Sequence, residues 1–186
     1  MKVSRDRAAE NRRAVVDNAS RMFRTHGVDG VGIGAIMRES GLTHGGFYAQ
    51  FGSKEQLAGE ACAEALQDSF ARWRRIARAN PDRVIAALAE AYLSERHRDD
   101  PEQGCALVAL GADAARNDGA VADAFREGLL NLVGVVEEAV PEAEQDHALA
   151  AVAQMVGAMV LARAVHDRAL SNRIMAASRM ALQKKV

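Results

Sequence analysis

The sequence predicts an all-α protein, and three observations carry that expectation. Aromatic residues make up 4% of the 186 positions while hydrophobic residues reach 49%, so the core is filled by alanine, leucine and valine. Sheets draw instead on aromatic and β-branched side chains. Apolar residues recur at i, i+3 and i+4 through most of the chain. The interruptions fall at clusters such as Asn80-Pro81, Asp99-Asp100-Pro101 and Asn117-Asp118-Gly119, which punctuate helices.

About nine helices are expected. The first spans residues 6–26, with Val15, Val16, Ala19, Met22 and Phe23 on one face and Arg12, Arg13, Asn18, Arg21 and Arg24 off it. A short second helix over 33–40 buries Ile33, Ile36 and Met37 and is ended by Gly41. Thr43 can cap a third, over 43–50, through its hydroxyl, while Phe47 and Phe51 put rings at i,i+4 on a buried face. Tyr48, one residue after Phe47, could cap the core. Ser53-x-x-Gln56 is a capping box that opens a fourth helix, running to residue 79 through Leu57, Ala61, Ala65, Phe70, Trp73 and Ile76. Asn80-Pro81 starts a fifth with Val84, Ile85, Leu88, Tyr92 and Leu93 on its apolar side. A sixth covers 104–116, and a seventh after Gly119 aligns Val121, Phe125, Leu129, Leu132, Val133 and Val136. The eighth, over 142–167, is the most apolar, and the ninth covers 171–183.

Gly45 and Gly46 stand in the first turn of the third helix, where each costs roughly 1 kcal/mol relative to alanine. A frayed glycine loop is one account. The other is a backbone that must approach another molecule closely, as the recognition helix of a helix-turn-helix does in the major groove of DNA. The ordered set Phe23, Gly27, Ile36, Gly41-Leu42-Thr43, Gly46-Phe47-Tyr48 and Phe51-Gly52-Ser53-Lys54-Glu55-Gln56-Leu57 resembles the DNA-binding domain of the TetR/AcrR family of transcriptional repressors. By motif the resemblance covers residues 10–60. It departs at Val31 and Gly32, where members carry Thr and Ser, and at Gly34, where a polar residue is usual. Gly30-x-Gly32-x-Gly34 has neither the preceding strand nor the spacing of a dinucleotide fingerprint.

The resemblance implies a DNA-binding domain over 1–57 and a ligand-binding and dimerisation domain over 58–186. It implies a homodimeric repressor on a near-palindromic stretch of double-stranded DNA, released by a small-molecule effector without catalysis or cofactor. The expected DNA-binding residues are Thr43, His44, Gly45, Gly46, Tyr48, Gln50 and Lys54. Lys54 has an independent basis, since its ammonium adds to the positive end of a helix whose N–H groups suit a phosphate. Arg12 and Arg13 read either as phosphate neighbours or as a solvated face, and residues 1–5 as an arm disordered without DNA. The alternative is a helical-bundle binding protein or enzyme that does not touch DNA.

Residues 1–57 hold nine Lys/Arg against six Asp/Glu, and the remainder fifteen against nineteen. A mildly basic head on an acidic body fits that division. Two cysteines and a polar start without a signal peptide point to the cytoplasm. The apolar run 148–162 is expected to be too short for a membrane. Glu144-x-x-His147 has half of a di-metal spacing with no second half, and His97 and His166 are isolated, so no metal is expected.

Small residues let helices approach closely, and the wide apolar stripe of the last two helices implies a partner surface. Gly157, Ala158, Leu161 and Ile174 are the expected dimer contacts. Trp73, Tyr92, Cys105, Phe125 and Met155 are candidate pocket residues, the body's low internal charge favouring an apolar or weakly polar compound. Cys105, after Gly104 at a helix start, reads either as a thiolate sensor or as a small buried residue. The upstream Asp99, Asp100 and Glu102 oppose the thiolate.

Overall fold

The computed structural model describes residues 5–116 and 119–183, and among these it holds nine α-helices and no strand. They are α1 (Arg5–His26), α2 (Ile33–Glu39), α3 (Lys54–Ala79), α4 (Val84–Tyr92), α5 (Glu95–Asp99), α6 (Ala106–Arg116), α7 (Ala120–Glu137), α8 (Gln145–Ala164) and α9 (Arg168–Gln183). Residues 1–4 of the arm expected over 1–5 and the pair Asn117-Asp118 lie outside the described residues, and Arg5 opens α1.

In the head, Val15, Ala19 and Phe23 of α1 pack with Ile36 and Met37 of α2, Phe47, Phe51 and Leu57, all essentially inaccessible to solvent. Gly41 adopts φ +69°, the left-handed conformation that glycine takes without a Cβ penalty. Its N–H donates to Arg38 O at 3.0 Å, and the Leu42 N–H to Met37 O at 2.8 Å. Both orphan carbonyls at the end of α2 are thereby satisfied.

The third helix expected over 43–50 does not form as an α-helix. A single 3₁₀ turn, His44–Gly46, is followed by a turn in which the Gln50 and Phe51 N–H groups both reach Phe47 O at 2.9 Å. Thr43 makes no side-chain cap. Two glycines in a segment this short leave too little propensity to close an α-helical turn.

Ser53 does cap α3, its Oγ accepting from Gln56 N at 3.0 Å, but Gln56 Oε1 reaches back to the Gly52 N–H. Elsewhere boundaries shift for local reasons. Pro81–Arg83 form a 3₁₀ turn before α4, and Asn80 turns its amide back to Ile76 O instead of capping. Ser94 caps a separate α5 by accepting from His97 N. The sixth helix begins at Ala106, and α9 begins at Arg168 with Asp167 Oδ1 taking the Leu170 N–H at 2.8 Å.

α3 carries the head into the body and lies parallel to α7. Glu55 Oε1 accepts from Ala120 N, Gly59 sits against Ala120, Leu66 against Gly128, and Arg74 pairs with Glu138. A Cβ on Gly128 would stand 2.4 Å from Leu66 Cδ1, so the glycine is what lets the two helices come this close. α8 and α9 form a hairpin tied by Ser171 Oγ–H to Ala162 O at 2.7 Å. The buried Arg98 of α5 fastens it through Asn172 Oδ1 at 2.5 Å and Ser171 Oγ at 3.2 Å.

Glu142–Ala164 spans 23 residues and by length and composition is apolar enough to cross a membrane, which corrects the expectation that its run is too short. Ala148, Ala151, Val152, Met155, Ala158, Met159 and Ala162 are buried in the protein's own core, while Leu149, Val160 and Leu161 of the same helix are exposed.

Candidate nucleic-acid interface and ligand cleft

The segment from Thr43 to Tyr48 is held from beneath and open above. Phe47 is fully buried and stacks on Phe51 at 5.4 Å. Tyr48 is 64% exposed, its ring standing edge-on to Phe47 at 5.1 Å and to His44 at 6.3 Å. It therefore does not cap the core. Thr43, His44 and Gly45 are exposed. Nothing lies within 4 Å of where a Cβ on Gly45 would stand, and its φ is not positive. Neither backbone conformation nor internal packing requires glycine there.

Gln50 folds back, with Nε2 3.5 Å from Gly46 O and a buried Oε1 that has no hydrogen-bond partner. Lys54 opens α3 half-buried, and among the described residues no acceptor takes its N–H or that of Glu55. The carboxylate of Glu55 turns away, to the start of α7.

Arg12 is not free for phosphate. Its guanidinium binds both carboxylate oxygens of Glu60 at 2.6 and 2.7 Å and lies 4.7 Å over the Phe51 ring. Asn18, off the apolar stripe, is nonetheless buried and donates to Ser40 Oγ at 3.0 Å. Two further contacts join head and body. Arg24 donates to Gly104 O at 3.0 Å, and Asp113 Oδ1 accepts from Val28 N at 3.4 Å.

In the body a cleft of about 690 Å³ opens between α3, α4 and the segment from Ser94 to Cys105. Trp73, Tyr92 and Cys105 line it, together with Ile76 and Leu88. Phe125 and Met155 do not: Met155 is fully buried in the core, and the Phe125 ring packs on Gly111. Trp73 meets Tyr92 edge-on at 5.6 Å, and Tyr92 meets His97 at 4.4 Å. His97 has both nitrogens engaged, Nδ1 with Tyr92 O at 2.7 Å and Nε2 accepting from Cys105 N at 3.0 Å. The carbonyl requires a proton on Nδ1, so the ring is neutral. Burial, reinforced by the nearby Arg163 and Arg72 charges, pushes its pKa down to about 4.

Cys105 is 3% exposed and α6 begins one residue beyond it. Burial pushes the Cys62 thiol up to about 12. Sequence reasoning missed Arg72, Arg75, Arg96 and Asp100 on the cleft. The signal for the first was present, because Ser69, Arg72, Trp73 and Ile76 share one face of a helix at i, i+3, i+4, i+7. The cleft is accordingly more charged than the composition of the body suggests.

On α8 and α9 the outer face is apolar. Gly157 is exposed with open space above it, Leu161 is 56% exposed, and Ile174 is half-buried. Ala158 is corrected, since it faces inward and is 6% exposed. Among the described residues no group of three or more His, Cys, Asp or Glu could hold a metal ion.

Residues 15–61 match the family model described as bacterial regulatory proteins, tetR family. No curated protein matches the chain. Similar solved structures include the reduced form of NemR from E. coli, 16% identical with a TM-score of 0.79, covering 93% of this chain and 96% of that one. A TetR transcriptional regulator from Chloroflexus aurantiacus J-10-FL is 24% identical with a TM-score of 0.77, covering 97% and 98%. AibR, solved in complex with isovaleryl coenzyme A and operator DNA, is 20% identical with a TM-score of 0.63, covering 93% and 98%. The matched segment is the one built here from α1, α2, the glycine turn and the start of α3; that segment is similar to the tetR family of bacterial regulatory proteins, and the chain as a whole shares the fold of these solved structures.

Proposed function

We propose that the protein is a ligand-responsive repressor that binds a near-palindromic DNA site as a homodimer and is released by a small molecule bound in its body. The observation that carries this reading is the exposed run Thr43, His44, Gly45 and Tyr48, followed directly by the uncapped N–H groups and ammonium at the start of α3. A phosphate would meet donors of both kinds there. In this reading Lys54 and Tyr48 take phosphates, and Thr43, His44 and Gln50 approach phosphates or base edges. Gly45 and Gly46 let the backbone come close, and Gln50 first releases the Gly46 carbonyl.

The exposed face of α8 and α9, with Gly157, Leu161 and Ile174, serves as the dimer contact. The functional division falls near residue 57, inside α3. A ligand that prefers a body conformation with the two heads wrongly spaced lowers DNA affinity by linkage, without turnover. AibR, crystallised with both an acyl-coenzyme A and operator DNA, supports the pairing of the two functions on this fold. The cytoplasm is the compartment that suits it.

The test is a gel shift with the DNA flanking the protein's own gene, backed by selection from a random duplex pool. Retardation that weakens steeply with salt is expected. Failure to enrich any duplex would overturn the reading and leave a helical-bundle binding protein or enzyme that ignores DNA.

A further inference from the structure

The cleft joins an apolar wall to a cationic rim. Trp73, Ile76, Leu88 and Tyr92 form the wall, and Arg72, Arg75 and Arg96 stand at the edge. Those three arginines are exposed, and among the described residues no side chain of the three is in an ion pair or hydrogen bond. Arg98, next in the chain to Arg96, differs in having Asp99 at 2.6 Å. The acid on the cleft, Asp100, spends Oδ1 on the Gln103 N–H at 3.2 Å.

A second and independent observation lies deeper. The Tyr92 hydroxyl is buried in a residue that is 5% exposed; its polar neighbour is the Cys105 thiol, a weak hydrogen-bonding group, and among the described residues no oxygen or nitrogen pairs with it. Behind His97, Arg163 donates to the His97 carbonyl at 2.5 Å. Its Nε is buried without a partner, and no carboxylate pairs with it. A buried hydroxyl left unmatched carries a desolvation cost that a ligand oxygen would remove. Around the same space Arg72, Arg75, Arg96 and Arg163 stand against the single carboxylate of Asp100, and that net positive charge raises the local concentration of anions.

We propose that the effector is an amphiphile with an anionic head, a carboxylate or a phosphate, on an apolar tail. The tail packs on Trp73, Ile76 and Leu88. The head is held by the arginine rim, with the Tyr92 hydroxyl donating to one of its oxygens. This rests on the reading of the body as an effector-binding module, and it replaces the weakly polar ligand expected from composition.

The test uses the full-length protein, and the chain's one tryptophan, Trp73, reports occupancy from inside the cleft. Decanoate, decyl phosphate and decan-1-ol are titrated separately while Trp73 emission is followed. At least one anion should bind about tenfold or more tighter than the alcohol, the worth of a charge-assisted hydrogen bond. The two anions distinguish a carboxylate from a phosphate head.

Tyr92→Phe keeps the ring contacts and should weaken the preferred anion several-fold while leaving the alcohol unchanged. Arg72→Gln combined with Arg75→Gln and Arg96→Gln should abolish the preference. The proposal is overturned if the alcohol binds as tightly as both anions, if neither anion binds below about 1 mM, or if the triple variant keeps the preference. Operator release by the same compounds is measured in a separate arm. Anion binding without release upholds the cleft chemistry and counts against the repressor reading, so the two fail independently.

Discussion

Gly45→Ala separates a glycine required by DNA from one that merely sits in a loop. In the free protein an added methyl group meets nothing within 4 Å, and the backbone is not left-handed. The substitution should therefore stabilise the fold by about 0.4–1 kcal/mol through the unfolded chain. For a chain of this size that raises Tm by roughly 1–4 °C. On DNA the same methyl enters the docked surface, where overpacking costs about 1–3 kcal/mol per site. A symmetric dimer incurs it twice, so Kd should weaken by at least about 30-fold.

Differential scanning calorimetry gives the first quantity, and fluorescence anisotropy with a selected operator duplex gives the second. Gly134→Ala is the control, because its Cβ also meets open space but lies on α7, far along the chain from the turn. It should stabilise without touching affinity. A Gly45→Ala protein that is more stable and binds DNA within about threefold of wild type would refute the reasoning and leave the glycine as a loop residue.

Lys54→Ala should weaken binding to all duplexes alike and lower the salt slope by about one per half-site; unchanged affinity and slope would rule out phosphate contact. Gly128→Ala drives a Cβ to 2.4 Å from Leu66 and should cost about 1–3 kcal/mol, read as a lower urea midpoint, whereas an unchanged midpoint would mean that α3 and α7 separate freely. His97, held near 4 against an ordinary 6.5, takes its proton first in the unfolded chain. Stability is thus present above pH 6.5 and lost on acidifying toward pH 4, on the order of 3 kcal/mol, and urea melts should show a smaller loss for His97→Gln. Leu161→Arg, on the exposed face, should turn a sedimenting dimer into a monomer with its fold intact.

How much of this was legible in the sequence depends on where the determining contacts lie. Two helix ends were readable because they act within a few residues, Ser53 opening α3 and Gly41 closing α2 as their neighbours dictate, whereas the caps expected at Thr43 and Asn80 do not form. The turn at 44–46 was misjudged as a helix because periodicity registers Phe47 and Phe51 and is blind to the cumulative cost of two glycines. Arg12 stayed open between a phosphate neighbour and a solvated face because its partner Glu60 is on another helix. Ala158 and Gly157 are neighbours on an evenly apolar helix, and only packing decides which of them faces out. The cleft was the least visible feature, since Arg72 and Arg96 reach it from different helices.

For a ligand in that cleft to weaken DNA binding, it must favour one arrangement of the head over another by the 1–3 kcal/mol that effectors typically supply. The described contacts bring the cleft and the head together at one short segment. Gln103 and Cys105 line the cleft, and the carbonyl of Gly104 between them accepts from Arg24 at the end of α1. The Cys105 N–H is held by His97, whose own carbonyl is held by Arg163 of α8. A ligand that displaces this segment therefore pulls on α1 and on α8, the proposed dimer helix, at once. The opposite end of the head is fixed differently, Glu55 of α3 being bonded to the start of α7. Val28 adds a third restraint through Asp113 of α6, and a head held at several points by different body elements turns when one restraint moves and the others do not; in the proposed dimer a turn of each head changes the spacing of two recognition segments on DNA, which is the quantity a palindromic site reads.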